Sequence, residues 1–204
     1  INTLPVPKHS SGPNLLNLFV GSEGCLGIMT KARFKITKLP EVRRHHAFLF
    51  NDMSTGYNAC REIVQTVKPS IMRLFDEAET VSIIKQVIGF EKKGSFLNLT
   101  VEGKEKIVAA EEYIMEIAEK YGAQYLGSEY GEKWFDNRIT FFYPGITLNN
   151  PKMFGTLDTT ATYDNIQNVY WAMKKAIEAY PGVKFISHSS HWYEWGCMNY
   201  TRFI

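Results

Sequence analysis

Three groups of residues in this chain have the types and spacing to do chemistry. The first is a glycine-punctuated loop, Gly21-Ser22-Glu23-Gly24-Cys25-Leu26-Gly27, with its glycines three apart. Without a Cβ, glycine lets backbone N–H groups come close to a phosphate. The same spacing also fits a plain tight turn, and it is neither GxGxxG nor a P-loop lysine motif. The second group is the stretch Ser187-His188-Ser189-Ser190-His191-Trp192-Tyr193-Glu194-Trp195-Gly196-Cys197. On a strand, His191 and Tyr193 would share a face. A tyrosine with a lowered pKa moves a proton there, with a histidine to assist. Aromatic packing around a satisfied histidine competes with that reading. The third group is Arg73-Leu74-Phe75-Asp76, read either as a strand-end ion pair or as a ligand contact. Cys25, Cys60 and Cys197 lie far apart, with no metal-site spacing. Their odd count argues against a disulfide framework, so a reduced cytoplasmic setting is expected.

The elements that must position these groups follow from periodicity. Gly12, Pro13 and neighbouring prolines make residues 1–13 irregular. Asn14 caps a short helix over Leu15–Phe19. After the glycine loop, Ile28 to Ile36 alternates as a strand, ended by Leu39-Pro40. Arg43 to Phe50 reads as a strand. A helix capped by Ser54 follows and is stopped by Pro69. Ser70 to Phe75 and Ser95 to Val101 are strands. Lys104 to Tyr121 is a helix burying Ile107, Val108, Tyr113, Ile114 and Ile117, and Gly122 ends it. Ala123 to Gly127 is a short strand, and 129–151 has no regular pattern. A further βαβ unit runs through Met153 to Asp158, Tyr163 to Tyr180 and Val183 to Ser187, with residues 195–204 as a last strand. The predicted class is α+β, a ferredoxin-like split βαβ arrangement with an antiparallel sheet and helices on one face.

Composition limits the function classes. The 204 residues are 45% hydrophobic and 22% charged, ordinary for a globular chain. The net charge of +2 is too small for a nucleic-acid footprint. No apolar run reaches the ~20 residues of an integral membrane segment. The first residues carry no secretory signal pattern. Ile1 opens in an apolar stretch and Ile204 closes a strand, so both ends read as unfinished.

The string from Gly12 to Thr30, GPNLLNLFVGSEGCLGIMT, closely resembles the second flavin-binding segment of the vanillyl-alcohol-oxidase type flavoproteins. There the usual form is G-P-D-L-x-x-L-F-x-G-S-E-G-T-L-G-I-I-T. Val6-Pro7-Lys8-His9-Ser10-Ser11-Gly12-Pro13 and Tyr193-Glu194-x-Gly196 look most like the alkyldihydroxyacetonephosphate synthase branch, as does Arg73-Leu74-Phe75-Asp76. The resemblance implies FAD as cofactor. It implies 1–39 as the C-terminal part of an FAD-binding domain and 40–204 as a substrate or cap domain. Gly21, Ser22, Glu23, Gly24, Cys25, Leu26, Gly27, Ile28 and Met29 would line the flavin. Tyr193 would be the catalytic acid or base. Lys8, Arg73 and Arg138 would contact substrate, and no metal is implied. Lys8 stands where the branch has an arginine, which costs a bidentate fork. Cys25 stands where a threonine is usual, which costs a hydroxyl. Arg138 is out of register with the family's anion-binding arginine.

The implied activity belongs to an enzyme on a small hydroxy acid or a dihydroxyacetone-phosphate-like substrate. A non-enzymatic ferredoxin-like ligand-binding module is the alternative. The expected partners are a small-molecule substrate and a second copy of the chain.

Overall fold

The computed structural model describes residues 1–3, 6, 9–139 and 155–204. It divides into two units, Ile1–Leu39 and Pro40–Ile204. In the first, helix α1 (Leu15–Phe19) starts where Asn14 Oδ1 accepts from the Leu16 amide at 3.1 Å. Residues 28–39 form no regular element, contrary to the strand expected over Ile28 to Ile36. A strand exists only with a ladder partner for its N–H and C=O groups. No described residue pairs with this segment, so its alternation never became a strand.

The second unit holds a seven-stranded, wholly antiparallel sheet. Its strands are β1 (Val42–Phe50), β2 (Ile71–Phe75), β3 (Ser95–Gly103), β4 (Gln124–Gly127), β5 (Gly155–Thr162), β6 (Phe185–Ser190) and β7 (Gly196–Phe203). They lie in the order β4-β1-β3-β2-β6-β7-β5. The first four give the ferredoxin-like arrangement, with β3 inserted antiparallel between β1 and β2. The βαβ unit expected near the end is split the same way, because β7 pairs with both β5 and β6. Leu74 pairs with Ser189 and Phe75 with His188, which fuses the two halves into one sheet.

Three longer helices, α2 (Met53–Thr66), α5 (Val108–Lys120) and α7 (Ile166–Glu178), share one apolar core with the sheet. That core includes Phe48, Ile63, Leu74, Leu97, Ile114 and Phe185, each at most 1% exposed. Each such side chain contributes about 1.5–3 kcal/mol by leaving water. The other sheet face has its own apolar cluster of Phe75, Ile84, Phe90, Phe96 and Trp134. It is built with α3 (Glu77–Glu79), a π-helical turn (Thr80–Ile84), α4 (Lys85–Ile88) and α6 (Glu129–Asn137). The single-face expectation therefore describes the long helices, and shorter helices join the second face.

Three local expectations are corrected. Asp52, not Ser54, caps α2, its Oδ1 accepting from the Thr55 amide at 2.8 Å. Ser54 instead accepts from Trp171 Nε1 at 3.1 Å. Tyr113 is 53% exposed, because the buried stripe of α5 runs through Ile114, Ile117 and Ala118. Part of the stretch read as irregular from 129 is the helix α6. Met153, Phe141, Phe142, Tyr143 and the Asn149-Asn150-Pro151 loop lie outside the described residues.

Candidate functional site

The glycine loop is built on left-handed backbone. Gly24 has φ 83° and Gly27 has φ 140°, values that only glycine adopts without strain. Short turns fold the loop, with Cys25 N donating to Ser22 O at 2.9 Å and Gly27 N to Gly24 O at 3.3 Å. A Cβ added at Gly21, Gly24 or Gly27 would meet nothing within 4 Å. Cys25 is exposed. His9 is a loop side chain bonded to Ser11 O at 2.8 Å.

The tail motif folds differently from the strand expected. β6 ends at Ser190, and residues 191–195 form the turn into β7. His191 has φ 53°, and the Tyr193 amide donates to Gly196 O at 2.8 Å, closing the turn. His191 and Tyr193 thus do not share a strand face. Tyr193 is about half exposed, and its ring stacks on Trp195 with centroids 5.7 Å apart. The Tyr193 carbonyl accepts from the Tyr163 hydroxyl, anchoring the turn to the core. Among the described residues, His191 hydrogen-bonds its neighbour Ser190 at 3.0 Å.

Below this turn, the second sheet face carries a buried ionic cluster. Glu79 is 1% exposed and lies at the C-terminal end of α3. Its carboxylate meets His188 Nδ1 at 3.1 and 3.2 Å and accepts from Arg202 Nη2. Burial pushes the Glu79 carboxyl up, but His188, Arg202 and Arg73 outweigh it and hold it below the ordinary carboxylate range. His188 stacks on Tyr200 across the β6–β7 pair. Arg73, on β2 of the same face, lies over the Trp134 ring at 5.4 Å.

Asp76 sets up this cluster without being part of it. Its carboxylate accepts from the Glu79 amide at 2.7 Å and from the Ser187 amide at 3.0 Å. The Tyr170 hydroxyl donates to it at 3.3 Å. Burial first, then the Glu79 charge, push its carboxyl up to about 7. The Arg73–Asp76 ion pair of the sequence reading is absent, because Asp76 caps α3 while Arg73 faces Glu79.

Of the three residues read as substrate contacts, Arg73 lies beside the cluster. Arg138 is half-buried at the end of α6, stacked on Phe135 at 3.6 Å. Lys8 is outside the described residues. Glu79 and Arg202 were missed by sequence reasoning. The spacing Asp76-x-x-Glu79 before an apolar run is a helix-start signal that would have flagged Glu79. The described residues hold no group of three or more His, Cys, Asp or Glu able to bind a metal ion. No described helix is long and apolar enough to cross a membrane.

Comparison with known proteins agrees with this architecture. The alkyldihydroxyacetonephosphate synthase of Caenorhabditis elegans is 28% identical over 206 residues, covering 85% of this chain and 34% of that protein. An uncharacterized FAD-linked oxidoreductase of Escherichia coli O157:H7, YgcU, is 30% identical over 210 residues, covering 96% and 43%. A solved structure of alkyldihydroxyacetonephosphate synthase superposes with a TM-score of 0.76 at 26% identity, covering 96% of this chain and 43% of that one. The chain thus spans less than half the length of these relatives. Residues 39–203 match the family model described as FAD linked oxidases, C-terminal domain. With that match over most of its length, the chain belongs to the family of FAD-linked oxidase C-terminal domains, whose cofactor is FAD.

Proposed function

We propose that the chain supplies the substrate-facing part of an FAD-dependent enzyme acting on a small hydroxy acid or a dihydroxyacetone-phosphate-like substrate. The observation that carries this reading is the buried Glu79–His188–Arg202 cluster on the second sheet face. Burying ionised groups costs several kcal/mol per ion before pairing, so such clusters gather at functional sites. Family membership weighs against the non-enzymatic module.

In this reading residues 1–39 are the C-terminal part of an FAD-binding domain and 40–204 the substrate domain. Backbone amides from Gly21 to Met29 hold the flavin. When bound, FAD supplies two-electron chemistry at the substrate carbon. Tyr193 moves the substrate's proton, its phenolate oxygen accepting one in a dehydrogenase or its hydroxyl returning one in a synthase with no net redox change. The Trp195 ring stacked on Tyr193 limits the directions from which that hydroxyl is approached. Lys8, Arg73 and Arg138 contact the substrate, Arg73 being the one beside the buried cluster.

The test is a Tyr193→Phe variant in the whole FAD-loaded enzyme. Turnover on a hydroxy acid or dihydroxyacetone-phosphate ester is expected to fall about 10²–10⁴-fold with FAD content unchanged. Undiminished turnover would remove Tyr193 from the chemistry. Absence of turnover on both substrate classes by the unaltered enzyme would remove the substrate assignment.

A further inference from the structure

The turn that carries Tyr193 holds no residue that sets its shape by itself. Residues 191–195, His-Trp-Tyr-Glu-Trp, contain no glycine, proline or asparagine. Yet His191 sits at φ 53°, a left-handed value that costs a non-glycine residue free energy. Contacts from elsewhere in the fold must therefore impose this backbone. Three successive carbonyls of the turn accept hydrogen bonds from outside it. The Tyr193 carbonyl accepts from the Tyr163 hydroxyl. The Glu194 carbonyl accepts from Gln65 Nε2 at 2.8 Å. The Trp195 carbonyl accepts from the Tyr163 amide at 3.3 Å. A Lys68–Glu194 ion pair at 2.7 Å also reaches the turn, but both side chains are mostly exposed and such a pair contributes little.

Tyr163, between β5 and α7, holds the turn at two points. Its hydroxyl and its amide reach the carbonyls of Tyr193 and Trp195, the two residues whose rings stack at 5.7 Å and 13°. With both backbones fixed, each of these exposed side chains keeps only its χ rotations, and the stack restricts those. Tyr163 is itself firmly seated. It is buried in the main core, and its ring stacks on Trp192 with centroids 6.4 Å apart. Burial first, then Cys197 and Cys60, push its hydroxyl above the ordinary tyrosine pKa, so it remains a donor in alkaline solution.

We propose that Tyr163, assisted by Gln65, is a positioning residue that fixes the Tyr193–Trp195 ring pair and so aims the Tyr193 hydroxyl. It acts through that pair, since its own hydroxyl is taken up by the Tyr193 carbonyl. This role rests on the proposed reading of Tyr193 as the proton-moving group. A group that moves a proton must already lie along the line of transfer, and a misplacement of about 1 Å can cost about 10²-fold in rate. A half-exposed tyrosine on an unrestrained turn samples many directions. Two bonds from one core residue remove that freedom before substrate arrives.

The experiment uses Tyr163→Phe, which deletes one oxygen and keeps the ring and the amide bond. In the 204-residue chain, NMR should show ring-to-ring NOEs between Tyr193 and Trp195 that weaken or vanish in the variant. In the whole FAD-loaded enzyme, kcat should fall about tenfold or more while KM and FAD content stay within about twofold. A double-mutant cycle separates positioning from general support of the fold. Added to Tyr193→Phe, Tyr163→Phe should lower the residual turnover no further, because the hydroxyl it aims is gone. An equal fall in both backgrounds makes Tyr163 merely structural and overturns the proposal, as do unchanged NOEs or unchanged kcat in the single variant. Gln65→Leu, at an exposed position, breaks the Glu194 bond and should weaken the same NOEs. It decides the matter should Tyr163→Phe fail to fold, and unchanged NOEs there overturn the proposal. Undiminished turnover by Tyr193→Phe sinks the reading of Tyr193 as proton mover. In that event the NOEs alone judge Tyr163: their loss in Tyr163→Phe supports it as the holder of the ring pair, and their persistence overturns it.

Discussion

Asp76 is a buried side chain whose surroundings move its titration into the neutral range. Its carboxyl is raised from 3.8 to about 7 by burial and by Glu79. A raised carboxyl pKa means the fold prefers the protonated form. Its contribution is therefore fully present below about pH 4 and is lost as pH rises through 7. Between pH 5 and pH 8 that loss amounts to roughly 2–3 kcal/mol. Glu79 works in the opposite sense. Its folded pKa is lowered, so its stabilisation is present above the ordinary carboxylate range and is lost in acid. Asp76→Asn cannot ionise. Urea unfolding at pH 5 and pH 8 should show the unaltered chain losing about 2–3 kcal/mol more than the variant over that interval. Parallel pH profiles for the two proteins would show that Asp76 does not titrate as its surroundings dictate.

At the scale of elements, the β6–β7 hairpin decides where Tyr193 goes, and Gly196 decides whether the hairpin closes. Gly196 opens β7 opposite Thr162, and a Cβ there would lie 2.2 Å from the Ala161 carbonyl oxygen. That neighbour is backbone of β5, so relief requires the β5–β7 ladder to part. Gly196→Ala should cost about 1–3 kcal/mol. Exchange protection should fall first at Thr162 and Tyr193, whose amide bonds Gly196 O. Unaltered protection at both amides would show that the sheet end yields without cost. This hairpin also marks how far the sequence could be read. The strands themselves were legible because Phe48, Leu74, Leu97 and Leu99 alternate or cluster with β-forming neighbours. The turn was not, since Trp192-Tyr193-Glu194-Trp195 holds no glycine, proline or asparagine to announce it. Helix α6 was hidden because Tyr130 and Trp134 are its main apolar anchors among Glu132, Lys133 and Asp136. Ile28 to Ile36 shows the reverse error, alternation without a partner strand. Of the candidate site, local motifs gave the glycine loop, Tyr193 and Arg73. The Glu79–Arg202 contact joins residues 123 positions apart and leaves no periodic trace.

At the scale of the molecule, the two units differ in what holds each together. Both apolar clusters, from Phe48 through Cys197 and from Ala47 through Trp134, belong wholly to residues 40–204. In the first unit α1 has no buried residue. Ile28, Phe34 and Ile36 are each more than 80% exposed. Cooperative unfolding needs a shared core, and only the second unit has one of that size. A chain starting at Pro40 should therefore unfold in one transition, with a midpoint within about 3 °C of the 204-residue chain, a spread of about 1 kcal/mol of stability for a domain of this size. Limited proteolysis of the longer chain should cut first between residues 28 and 39, where the backbone has no ladder to protect it. A truncated chain that melts far lower, or a longer chain cut first inside the sheet, would mean that residues 1–39 contribute to the stability of the second unit. The intact midpoint would instead place the structural work in 40–204, leaving the glycine loop free of any structural duty and available for the cofactor its family binds.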